Sequence, residues 1–137
     1  VDEGDVLTTE MNSLAAAGLT AKGSAYDNTA DLRQHFWAEF SGSFGSSPVA
    51  GQALVLYALR AMDGTNYEDG DASTTPPATA IVATFPVRAS TSAQRIASTR
   101  FELPPCPVKF VLYNGTSQAL SASGNTVGLY SATDEVQ

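Results

Sequence analysis

The chain reads as an all-β protein, an antiparallel, jelly-roll-like β-sandwich of seven to nine short strands with an N-terminal arm. Three observations predict it. Apolar residues alternate at period two in several segments, and no window keeps helical spacing beyond two turns. Gly, Ser, Thr and Pro punctuate the chain between those segments. Charged residues make up only 15% of the composition against 43% apolar, a poor recipe for an exposed helical bundle. At 137 residues the chain is long enough for one domain with a closed core.

The first thirty residues are weakly patterned and read as an N-terminal arm or edge segment, leaving 31–137 for the sandwich. In "LRQHFWAEFSGSF", Leu32, Phe36, Ala38, Phe40 and Phe44 share one parity, opposite Arg33, His35, Glu39 and Ser41. That predicts a half-buried strand, with Trp37 on its wetter face and in need of cover from a loop or another chain. "QALVLYALRA" is apolar on both faces and predicts a central strand. "ATAIVATFPV" follows, with Pro86 near its end or on an edge. In "QRIASTRFEL", Ile96 and Phe101 fall on opposite parity, which predicts a bulge or bend between them. "PPCP" stops that strand. "VKFVLYN" sets Val108, Phe110 and Leu112 against Lys109, Val111 and Tyr113. "NGTS" reads as a turn, "QALSA" and "NTVGLYSA" as a closing hairpin around "SGN", and "TDEVQ" as an acidic tail.

Chemistry is sparse. The stretch "MDGTNYEDGDASTTPP" holds Asp63, Glu68, Asp69 and Asp71. Its spacing matches no calcium loop, and nothing sets two carboxylates opposite one another for glycosidase work, so no metal and no cofactor is expected. His35 is the single histidine and Cys106 the single cysteine, which leaves no zinc set and no intrachain disulfide. His35 is read as a surface or interface imidazole rather than a catalytic base, and Cys106 as a small packed residue. No catalytic residue is assigned and no enzymatic activity is expected. A net charge of −7 argues against nucleic acid as a main partner, and no apolar run reaches membrane-span length. The acidic start "VDEGDVLTTE" lacks the basic region of a secretory signal. Arg88, Arg95, Arg100 and Lys109 gather where only Glu102 opposes them, while acids gather near the N-terminus, at 63–71 and in the tail. Solvated strand faces account for this, as does pairing between neighbouring copies of the chain.

"VLYALRAMDGTNYEDG" together with "FPVRASTSAQRIASTRFELPPCPVKFVLYNGTSQALSASGNTVGLYS" resembles small virion proteins of tailed bacteriophages. The resemblance spans about residues 52–131 and lies in strand and turn signatures, not in a catalytic fingerprint. It implies a jelly-roll or sandwich subunit of head-decoration (cement) or head-fibre type, located in the virion and partnered by its own copies and by the major capsid protein. On that implication the 62–77 stretch is a strand-to-strand loop. Interface candidates are Trp37, His35, Arg33, Arg88, Arg95, Arg100, Asp63, Tyr67, Glu68 and Asp69, in a closed ring with a trimer favoured over a dimer. A module of a different class, a carbohydrate- or receptor-binding sandwich, would use exposed aromatics from Trp37, Tyr57, Tyr67, Tyr113 and Tyr130.

Overall fold

The computed structural model describes residues 1–134. The last part of the acidic tail, from 135 on, lies outside the described residues. Eight strands form: β1 (Asp2–Leu7), β2 (Tyr26–Asp27), β3 (His35–Gly42), β4 (Ala53–Arg60), β5 (Ile81–Pro86), β6 (Gln94–Ala97), β7 (Pro107–Gly115) and β8 (Thr126–Ala132). Two three-residue 3-10 turns, Thr9–Met11 and Ala78–Ala80, are the helical elements among the described residues. Every recorded strand pairing is antiparallel, in a first sheet ordered β1-β8-β3-β6 and a second ordered β2-β7-β4-β5. That interleaving is the double Greek key of a jelly roll.

The alternation in β3 places Phe36, Ala38 and Phe40 in the core, and β7 does the same with Val108, Phe110 and Leu112. They meet Leu54, Leu56 and Phe85 from β4 and β5, with the Phe40 and Phe85 rings 6.1 Å apart across the layers. β4 is central and apolar on both sides because each side is covered. Its second face joins Tyr57 and Leu59 to Ala80 and Val111 in a separate cluster outside the second sheet, packed against Leu19, Tyr67 and Tyr113. The N-terminal thirty residues are woven into this body. β1 is the edge strand beside β8, and Met11 and Leu14 are buried in the core.

Several sequence readings change. Leu32 does not join the core set; it is 57% exposed with φ +50, in a turn that Asn28 organises before β3 begins. The Asn28 amide oxygen accepts from the Arg33 N–H at 2.7 Å, and its NH₂ donates to the Arg33 carbonyl at 3.0 Å. Asn114-Gly115 is not a turn but the end of β7. A Cβ on Gly115 would stand 2.5 Å from the Ala53 carbonyl oxygen, so the glycine serves close strand approach. The "SGN" hairpin does not form either. Leu120 bridges to Phe44, and β8 crosses over to pair with β1 and β3. Burial beside non-local strands outweighs the local turn chemistry.

The bulge between Ile96 and Phe101 is present. Ile96 pairs with Phe40 and Phe101 bridges to Phe36, so five steps on one strand face four on the other. The Ser98 hydroxyl fills the gap, accepting from the Ala38 N–H at 3.0 Å.

Candidate functional site

The acidic stretch is the long connection from β4 to β5, and it is folded onto the outer cluster of the second sheet. The Glu68 carboxylate accepts from the Arg60 backbone N–H, from Arg60 Nε at 2.5 Å and from Arg60 Nη2 at 3.0 Å. Arg60 accordingly holds the Glu68 carboxyl below its ordinary range. Tyr67 packs on the cluster with Lys109 Nζ 4.8 Å from its ring centroid. Asp63 caps its own turn, accepting from the Asn66 and Thr65 N–H groups at 2.7 and 2.8 Å. Those donors, with the Asn66 side chain, lower its pKa to about 2. Asp71 caps the next turn by accepting from the Ser73 N–H at 2.9 Å, and Asp69 is exposed. Three of the four carboxylates thus spend oxygens on neighbouring donors. Among the described residues, no group of three or more His, Cys, Asp or Glu side chains is placed to hold a metal ion.

A cleft of about 480 Å³ opens between the 28–35 segment and 102–105, lined by Arg33, His35, Glu102, Leu103 and Asp134 among others. His35 Nε2 lies 2.9 Å from Asp134 Oδ2, an ion-pair distance without hydrogen-bond geometry. Arg33 Nε lies 3.5 Å from Glu3. Tyr26, stacked edge-on against Phe36, has its phenol pushed up to about 12 by burial and then by Glu3 and Asp31. No described residue lining this cleft is Ser, Thr, Cys or Lys, so His35 has no nucleophile there to activate. Cys106 is buried beside the cleft rather than lining it, and burial pushes its thiol up.

The outer face of the first sheet is different in kind. Register sets Trp37 opposite Tyr130, and Glu39 opposite Gly128, which has Asp5 on its other side. Trp37 is half-buried and Tyr130 is 37% exposed. A Cβ on Gly128 would sit 3.4 Å from a Tyr130 ring carbon, 3.6 Å from its hydroxyl and 3.4 Å from Asp5 Oδ1. The Tyr130 ring therefore lies back along its own strand, over the glycine. Arg95 on β6 reaches Glu39 at 3.7 Å.

Three further arginines lie on the β5/β6 side of the sandwich. Gln94, buried, accepts from the Arg88 N–H at 2.9 Å and donates to the Arg88 carbonyl at 3.0 Å, which fixes the connector from β5 to β6. Arg88, Arg95 and Arg100 are exposed along it and beyond it. The ten residues singled out from the sequence thus fall into three places: Asp63, Tyr67, Glu68 and Asp69 on the folded loop, Arg33, His35 and Trp37 along the approach to β3 and its outer face, and the three arginines at the β5/β6 edge. Sequence reasoning missed Tyr130 as the partner of Trp37, because that pairing depends on strands far apart in the chain.

No protein-family profile matches the chain, and no curated protein matches it. Among solved structures it is similar to the Clostridium thermocellum N-terminal endo-1,4-β-D-xylanase 10B CBM22-1–GH10 modules complexed with xylohexaose, at 14% identity and a TM-score of 0.45. The match covers 99% of this chain and 25% of that one, so the chain spans about a quarter of that protein's length. A likeness of that degree decides nothing about what this chain binds; the β-sandwich stands on the strand pairing itself.

Proposed function

We propose that the chain is a non-enzymatic bacteriophage virion subunit, a decoration (cement) protein on the outer head surface that works as a closed ring of its own copies. The observation that carries the reading is the placement of charge on opposite edges of the sandwich. The β1/β2 side holds exposed Asp2, Asp5, Asp27 and Asp31, with Lys22 the exposed cation beside them. The β5/β6 side holds Arg88, Arg95 and Arg100, with Glu39 and Glu102 as the nearby acids. Unlike edges attract, and a contact between two different edges is heterologous, so repetition closes a ring when the rotation permits. Exposed ion pairs add only about 0.2–1 kcal/mol each. Their part is to choose partner and register, while shared contacts on a capsid lattice add avidity. The sequence resemblance to phage virion subunits supports the same reading, since its motifs fall on β4 to β8 and the connections between them.

Light scattering tests the ring, with a mass near three times 14.2 kDa expected for a trimer. Raising salt should shift it toward monomer. The pair Arg88→Glu/Arg100→Glu should dissociate it, and adding Asp27→Lys/Asp31→Lys should restore it. A wild-type monomer at every concentration and at low salt removes the ring. Cryo-electron microscopy of particles then tests location, and density for the chain only at the tail would defeat the decoration assignment.

A further inference from the structure

We infer that the outer face of the β1-β8-β3-β6 sheet is a binding platform for a neutral polysaccharide, stacked on Trp37 and Tyr130. The inference goes beyond the assembly reading and uses one chain's own face, so it holds for a monomer or a ring.

Of the five candidate aromatics, three are committed elsewhere. Tyr57 is buried, and Tyr67 and Tyr113 pack in the cluster outside the second sheet. Trp37 and Tyr130 remain, side by side in register on one solvent-facing sheet surface. Tyr130 lies over Gly128, close enough that a Cβ there would be in van der Waals contact with the ring. An aromatic ring laid along a sheet offers its π-face to a flat apolar partner, while its hydroxyl stays available for hydrogen bonding. The C–H face of a pyranose ring is such a partner.

The polar groups decide the ligand class. Asp5 stands on one side of Gly128 and Glu39 on the other, so acceptors flank the glycine over which the Tyr130 ring lies. Arg95, Trp37 Nε1 and the Tyr130 hydroxyl supply donors. A sugar hydroxyl both donates and accepts, and a surface mixing both kinds around a stacking face suits it. An anionic ligand would meet the Asp5 and Glu39 carboxylates. A cationic peptide would meet Arg95, which already lies 3.7 Å from Glu39. The surface is shallow rather than a pocket, which fits a chain of sugar units better than a single small molecule.

Trp37 is the single tryptophan, so its emission reports on this face alone. The test titrates the full chain with cellohexaose, maltohexaose and chitohexaose, and separately with a tetralysine peptide. At least one hexasaccharide should shift Trp37 emission with a Kd of about 0.1 mM. Tyr130→Ala should weaken that affinity about tenfold or more, with the circular dichroism spectrum unchanged. By contrast, Arg88→Glu/Arg100→Glu should bind as wild type even if the ring has dissociated. No emission change with any hexasaccharide up to about 10 mM overturns the proposal. So does a response to tetralysine alone, or sugar binding that Tyr130→Ala leaves intact. Light scattering on the same samples keeps this result separate from failure of the ring.

Discussion

Asn114 shows how one polar side chain can do what a turn sequence does not. It is fully buried, and its NH₂ donates to the Leu14 carbonyl at 3.1 Å and to the Gln118 carbonyl at 2.8 Å. Its oxygen accepts from the Thr116 N–H at 3.0 Å and from the Thr116 hydroxyl at 2.7 Å. The amide thus ties the N-terminal segment to the β7–β8 crossover, alongside the direct bonds from the Leu120 N–H to the Leu14 carbonyl and from the Ser13 N–H to the Ser121 carbonyl. Asn114→Ala leaves those partners unpaired in the interior and should cost about 3 kcal/mol, read by urea unfolding. A loss under about 1 kcal/mol would show that water replaces the amide. Asp63 is a residue-scale case at the surface. Its folded-state pKa is depressed, so its contribution is complete above the ordinary carboxylate range and is lost as pH falls through about 2. A carboxyl NMR titration should give a midpoint near that value, and a midpoint near 4 would mean that the turn is open in solution.

At the scale of elements, the folded β4–β5 connection is held by Arg60–Glu68 and by Tyr67. Adding EDTA should therefore leave the melting temperature unchanged, since Asp63, Glu68 and Asp71 already accept from neighbouring donors. Glu68→Ala should speed proteolysis within 61–80 while the sandwich stays folded, because it removes three hydrogen bonds to Arg60. The elements themselves were mostly legible. Parity in β3 and β7 gave the inward faces, and the mismatch of Ile96 and Phe101 gave the bulge, because both are local consequences of period two. What was not legible depended on cover from distant chain. Leu32 kept the parity of β3 yet lies before the strand starts, and Asn-Gly carried a turn signal that strand pairing overrode. The acidic loop gave no sign of which side chains would fold inward. Trp37 on the wetter face was readable, but Tyr130 beside it required knowing that β8 leaves its sequence neighbours and inserts between β1 and β3.

Across the whole molecule, the strand order has a kinetic consequence. Within the first sheet no two paired strands are consecutive in sequence, and within the second only β4 and β5 are. The chain must close long loops before most pairings can reward it, so folding should be slow, in milliseconds to seconds. Stopped-flow refolding that finishes in microseconds would contradict this. The β4–β5–β7 group has the shortest path to a shared apolar face and is the expected nucleus. β1 has a different fate: its neighbour in the sheet is β8, so during synthesis it has no partner until the last of the eight described strands has been made. Until then its edge and the apolar side chains of Val6 and Leu7 are open to other chains, and a nascent copy is most exposed to aggregation through its first strand.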